Sequence, residues 1–340
     1  MENILGTELS EILSGFLALL PPEVGDSITS GEGAISYLGL DRLICEVGAI
    51  LSGGGGALFS FLLIVVGASV LLLLVGMLPE RSYVAECGIS VLLSYMLLSE
   101  LYPVFLEAIE SLTELNSLFG GIMPTVVALL SVSGGVTLAP TASVGMQVTL
   151  YLTGLFSSGL MTRIVLAMLV VGSFSEMGGA TERLSRSVKS LFTGLVGIST
   201  AVLSGIIALE TYIASVSDGA IIRMARLTAG NMIPIVGSAV SGALGTLAGG
   251  VSYAAGVVGA GSVVAILSVA LSPLVMLLGY RAVFGFAELL LGFSGKKGGT
   301  SLIFAFSSAL DALISVYVMT IIIYILELIA LLMGVSSLGR

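Results

Sequence analysis

ALFSFLLIVVGASVLLLLVGML, residues 57–78, runs for about 20 residues without a charge, the length a helix needs to cross the hydrocarbon of a bilayer. Pro79-Glu80-Arg81 ends it. The rest of the chain has the same character. Hydrophobic residues make up 56% of the 340 and charged residues 10%, with a mean hydropathy of +1.15, whereas a soluble domain is about a quarter charged. No water-soluble core of this length could enclose so much apolar surface, so the solvent is lipid. In lipid every backbone polar group must be satisfied internally, and helices do this within one segment. An all-α, polytopic integral membrane protein of about six transmembrane helices follows.

Outward from this span, residues 1–52 form an acidic region. Residues 1–50 carry eight acidic side chains against Arg42 alone, which accounts for −7 of the net −9. Short amphipathic helices are expected over Leu9–Leu20 and Leu38–Leu51, parted by Pro21-Pro22. Poverty in Lys and Arg makes this the extracytoplasmic side. Glu2 follows Met1 with no basic stretch, so no cleavable signal peptide is expected. Residues 53–340 form the transmembrane domain. A weaker span covers Val84–Pro103, and then Glu107, Glu110 and Glu114 mark the acidic face of a surface helix. Leu118–Leu138 has Gly pairs at both ends (Gly120-Gly121 and Gly134-Gly135) and Pro124 inside, which predicts a re-entrant loop or half-helix pair. Ser143–Phe174 is too long for one straight helix and predicts a tilted or broken span. Val188–Leu209 is another span, Val251–Tyr280 is expected to break near Pro273, and a long C-terminal helix covers 301–333.

Between these spans lies SDGAIIRMARLTAGNMIPIVG, Ser217–Gly237. Asp218 is placed to cap a helix N-terminus, and Arg223 and Arg226 fall three apart on one face. Gly230-Asn231 stops that helix and Pro234 starts the next, which leads through Gly237 into a Gly-rich apolar region. This stretch resembles the signature region of the stage III sporulation protein AE family. MPTVVALLSVSGG (Met123–Gly135), ERLSRSVKSLFTGLVG (Glu182–Gly197) and the hydrophobic C-terminal segment extend the likeness over about residues 85 to 335. The resemblance implies a component of the transenvelope channel complex that links mother cell and forespore during endospore formation. It implies a permease-like subunit in the mother-cell membrane around the forespore. Its implied partners are sibling stage III sporulation membrane proteins and a forespore-side protein.

Pro124 and Pro234 align at an offset of 110 residues, which also places Gly120 on Gly230 and Glu100 on Glu210. Repeats over 84–176 and 188–281 are one reading, chance in a biased composition the other. Gly/Pro-interrupted apolar segments in two halves point to a translocation path. With the N-terminus outside and each unit crossing twice, Arg81, Arg183, Arg186, Lys189, Arg281, Lys296 and Lys297 fall on the cytoplasmic side. That makes the repeats parallel and leaves Arg223 and Arg226 as the exception.

Arg163 sits centrally in an apolar run, where a charge costs at least about 2.5 kcal/mol. Either it lines a polar cavity and pairs with Asp311 or Glu327, or the segment breaks at Ser157–Gly159 and Arg163 lies at an interface. Asp311 and Glu327 are expected to face the bundle interior. Gly230, Asn231 and Pro234 read as a helix stop and restart, with the further expectation that the helix ends line a water-filled path. Arg223 and Arg226 suit either a protein partner or lipid phosphates. Cys45 and Cys87 read as small packing residues, a disulfide being the less favoured alternative.

The chain has no His, and HExxH, GxSxG, Walker A and clustered metal-ligand patterns are absent. No enzyme activity, cofactor, metal or nucleic-acid partner is expected. The bilayer is one partner, and a homo-oligomer is left open. A stand-alone secondary transporter and a membrane scaffold that recruits complex partners are the alternatives.

Overall fold

The computed structural model describes residues 2–29, 40–77, 83–133, 138–155, 159, 161–173, 183–184, 187–209, 212, 237–292 and 300–338. Among these there is no strand. The helices, in chain order, are α1 (Glu2–Leu17), α2 (Pro22–Thr29), α3 (Leu40–Met77), α4 (Tyr83–Val132), α5 (Leu138–Gly154) and α6 (Met161–Ser173). They continue as α7 (Ser187–Leu209), α8 (Gly237–Gly292) and α9 (Thr300–Leu338). Five of them, α3, α4, α7, α8 and α9, are long and apolar enough to cross a membrane. The polytopic all-α architecture therefore holds.

The bundle is built around α9, which packs along α8, α6, α4 and α5. Leu302, Phe306, Leu310, Leu313, Val316 and Leu328 of α9 all lie in the main core. Close approach depends on small residues, because helices in lipid associate through van der Waals packing rather than hydrophobic exclusion. A Cβ on Gly172 of α6 would stand 2.8 Å from the Cβ of Ala305, and one on Gly259 of α8 2.6 Å from Leu332. The peripheral helices α3 and α7 present Phe59, Leu63 and Leu74, and Leu191, Ile198 and Leu209, on their exposed sides. These are the lipid-facing surfaces.

At the N-terminus the chain turns at residues 18–21 between α1 and α2, as the Pro pair predicts. Both helices dock on the bundle. Phe16, Leu20 and Val24 are buried in its core, and Gly261 of α8 leaves room for Phe16 and Ile28. The segment expected over Leu38–Leu51 runs on into α3 without a break, so the expected boundary at 52/53 lies inside one helix. Cys45 is exposed rather than packed.

Two expectations of helix breaks are corrected. Residues 118–132 are not re-entrant; they are the last turns of α4, which passes unbroken through Pro103 and Pro124. Nor does α8 break at Pro273. A proline inside a helix forfeits one hydrogen bond, whereas a loop in hydrocarbon exposes several backbone groups, each costing several kcal/mol. Leu115, Phe119, Ile122, Val126 and Leu129 keep one packed face continuous past Pro124. For Ser143–Phe174, α5 ends at Gly154 and α6 starts at Met161; residues 155 and 159 between them are π-helical and the others there lie outside the described residues. Neither α-helical piece alone reaches a bilayer's length, and among the described residues five helices rather than about six qualify as spans.

Helix lengths exceed one bilayer. The 50 residues of α4 extend about 75 Å at 1.5 Å per residue, against a hydrocarbon thickness of about 30 Å. Part of α4 therefore stands outside the hydrocarbon. Glu107, Glu110 and Glu114 are all exposed on it, as the acidic face predicts.

Candidate functional site

The last helix carries a polar stripe. Tyr317, Thr320, Tyr324 and Glu327 recur at spacings of three and four, which keeps them on one face, and all four are fully buried. Thr320 satisfies its own hydroxyl by donating to the Val316 carbonyl at 3.0 Å. Tyr317 and Tyr324 look outward from α9 toward α4 and α5.

Those two helices supply the partners. Ser111 Oγ of α4 lies 2.6 Å from Tyr317 Oη. Two turns further along α9, the Tyr324 hydroxyl donates to Asn116 Oδ1 of α4. Thr153 Oγ1 of α5 lies 2.7 Å from Tyr324 Oη, 2.6 Å from the Thr149 carbonyl and 3.4 Å from Asn116 Oδ1. One hydroxyl proton serves one of these acceptors at a time. The Phe119 ring stacks on Tyr324 at 4.2 Å and 9°, which holds the phenol in place. Gly154 makes room for the Asn116 amide, since a Cβ there would stand 2.6 Å from Asn116 Nδ2. The result is a seam of hydroxyl, amide and carboxyl groups inside an apolar bundle. Interhelical hydrogen bonds of this kind hold transmembrane helices in register, and an intramembrane carboxyl additionally marks an ion or substrate path.

A second, charged cluster lies nearer the start of α9. Arg281 Nε of α8 donates to Asp311 Oδ1 at 2.6 Å, and an Arg281 terminal nitrogen stands 3.8 Å from Glu288. Lys189 of α7 donates to Ser308 Oγ at 3.2 Å and lies over the Phe304 ring. Arg281, Glu288 and Asp311 are partly exposed and Lys189 is exposed, whereas Ser308 is buried; the cluster lies toward the end of the bundle where α9 starts.

The residues singled out in the sequence fall as follows. Glu327 faces the interior as expected. Asp311 is half-exposed and paired with Arg281, so the interior expectation fails for it: three residues on from Ser308 it belongs to the charged end. Arg163 is exposed near the start of α6, two residues beyond Met161. The expected break at Ser157–Gly159 falls largely on residues outside those described, and the partner of Asp311 is Arg281 rather than Arg163. Gly120 and Gly121 are packing positions, where Leu150 of α5 and Leu19 approach to 3.1 and 3.3 Å of a would-be Cβ. Pro124 is exposed on the same helix. Gly237 is the first residue of α8. Gly134, Gly135, Asp218, Arg223, Arg226, Gly230, Asn231 and Pro234 lie outside the described residues.

Sequence reasoning missed Ser111, Asn116, Thr149, Thr153, Tyr317 and Tyr324. The three-and-four spacing of Tyr317, Thr320, Tyr324 and Glu327 was the available signal on α9. Nothing local marked the α4 and α5 partners, because Ser and Thr are common throughout the chain. Among the described residues no three His, Cys, Asp or Glu side chains gather as a metal site would require.

The family model for stage III sporulation protein AE matches residues 26–336. Among curated proteins, the stage III sporulation protein AE of Bacillus subtilis (strain 168) is 24% identical over 233 residues. That alignment covers 65% of this chain and 57% of the relative, so the chain spans less than two thirds of the relative's length. No solved structure matches.

Proposed function

The chain belongs to the stage III sporulation protein AE family, and on that premise we propose that it is the permease-like membrane subunit of the channel complex joining mother cell and forespore. In this reading it sits in the mother-cell membrane around the forespore, its N-terminus extracytoplasmic. It works with sibling stage III membrane proteins and a forespore-side partner, and it catalyses no reaction. The observation that carries the reading is the seam of partly buried Asn116 and fully buried Thr153, Tyr324 and Glu327 across three helices of the bundle. A chain that served only to anchor partners would need no carboxyl at the centre of its packing.

The test combines assembly with access. In a Cys45→Ser, Cys87→Ser background, Thr153→Cys is treated with a small charged thiol reagent in membranes from sporulating cells. Labelling is expected, and it is expected to change when the partner membrane proteins are deleted. Co-purification with those proteins in native detergent is expected as well. A thiol that stays unlabelled with both membrane faces open, together with no co-purifying sibling protein, sinks the proposal.

Glu327 also favours a second reading, a stand-alone secondary transporter. Flux of ions or solutes into liposomes that contain this chain alone would support it over the assembly.

A further inference from the structure

Glu327 is fully enclosed within the candidate span Leu302–Leu332, and the helix registers specify what stands level with it. Ser111 meets Tyr317 and Asn116 meets Tyr324, so α4 and α9 run parallel. Gly120 against Leu150 and Gly154 against Asn116 make α5 antiparallel to α4, and hence to α9. Thr153 lies against Tyr324, and Leu152 packs beside the cluster containing Ile323. One turn back along α5 therefore brings Thr149 to the level of Glu327. Thr149 is fully buried on the same α5 face as Thr153, and its Oγ1 has no hydrogen-bond partner among the described residues.

The chemistry of this layer is specific. A carboxylate offers about four acceptor sites and a hydroxyl two lone pairs, so one neighbour does not exhaust the oxygen donors here. Oxygen ligands suit hard cations. A single carboxylate balances a single positive charge, so a divalent ion would leave net charge in the bundle. Thr153 and Tyr324 spend their hydroxyls on one another, on Asn116 Oδ1 and on the Thr149 carbonyl, and the stacked Phe119 closes that side.

We infer that Glu327 and Thr149 form the centre of an intramembrane site for one small monovalent cation, sodium or a proton, held in shape by Thr153, Tyr324 and Asn116. Glu114 of α4, Tyr151 of α5 and Arg163 of α6 are exposed, and Lys189 of α7 is engaged with Ser308, about five turns along α9. Tyr324 is the titratable neighbour on α9 itself. The inference deepens the seam's reading as a path, but it is tested on the isolated chain. Its failure leaves the assembly proposal standing, and failure of the assembly proposal leaves the site standing.

The experiment treats the purified full-length chain in detergent with dicyclohexylcarbodiimide, which captures protonated carboxyls in apolar surroundings, and locates the adduct by peptide mass spectrometry. In choline chloride the wild type is expected to label at Glu327 and Glu327→Gln to carry no label there. If the cation is sodium, NaCl at ten times its half-protecting concentration slows labelling about tenfold, and Thr149→Val loses that protection. If it is a proton, sodium has no effect and labelling falls as pH rises. Absence of label at Glu327 in choline, or label that responds to neither sodium nor pH, overturns the site. Sodium protection undiminished in Thr149→Val overturns Thr149 as a ligand. The wild-type measurement carries the test even if a variant folds poorly.

Discussion

Tyr324 shows how one hydroxyl can tie three helices. It donates to Asn116 of α4, lies 2.7 Å from Thr153 of α5 and stacks on Phe119. Tyr324→Phe keeps the stack and removes the hydroxyl, which leaves Asn116 and Thr153 short of a partner in a buried site. Interhelical hydrogen bonds in membranes average about 0.6 kcal/mol with a maximum near 1.7, and a stranded buried group adds to that. A loss of about 1–2 kcal/mol is expected from detergent-denaturation midpoints. Thr153→Val should lose a similar amount, and the double variant less than the sum, because both changes break one network. Strict additivity would mean that the two hydroxyls act independently.

Whole helices add constraints that single residues do not show. Where α6 crosses α9, Gly172 and Ala305 leave no room for a second methyl, at 2.8 Å between Cβ positions. Gly172→Ala is expected to cost about 1–3 kcal/mol through overpacking. Ala305→Gly in the same chain should recover most of that loss, since it returns the missing space. Failure of the second change to rescue the first would place the two helices further apart. Along α4 the issue is continuity. Because the helix passes through Pro124 unbroken, Pro124→Ala should gain stability, up to about 3 kcal/mol, with no change in helix content by circular dichroism. A clear rise in helix content would instead mean a break at that point, as the Gly120-Gly121 and Pro124 pattern first implied.

At the scale of the whole molecule, orientation rests on charge. Residues 1–50 hold eight acidic side chains and one Arg, while Arg81 and Lys296 flank the spans; the positive-inside rule therefore predicts that the N-terminal region lies outside. A Ser30→Cys chain in a Cys45→Ser, Cys87→Ser background should label with an impermeant thiol reagent in intact cells, and labelling only after permeabilisation reverses the orientation. The membrane setting, the all-helical class, the positions of most spans and the acidic face at Glu107, Glu110 and Glu114 were legible in the sequence alone. Hydropathy and charge are properties of each residue and its near neighbours, so they survive without knowledge of the fold. Glu327 was legible for the same reason, as a charge in an apolar run. Its surroundings were not. Tyr324 meets Asn116 across 208 positions of chain, and only the register between helices decides which of many Ser, Thr and Asn side chains face one another. Continuity was equally beyond local reading: a proline or glycine pair has the same intrinsic cost wherever it stands. Whether a helix bends, breaks or runs on depends on the packing its neighbours supply, and that was decided by α1, α5 and α9 closing around α4.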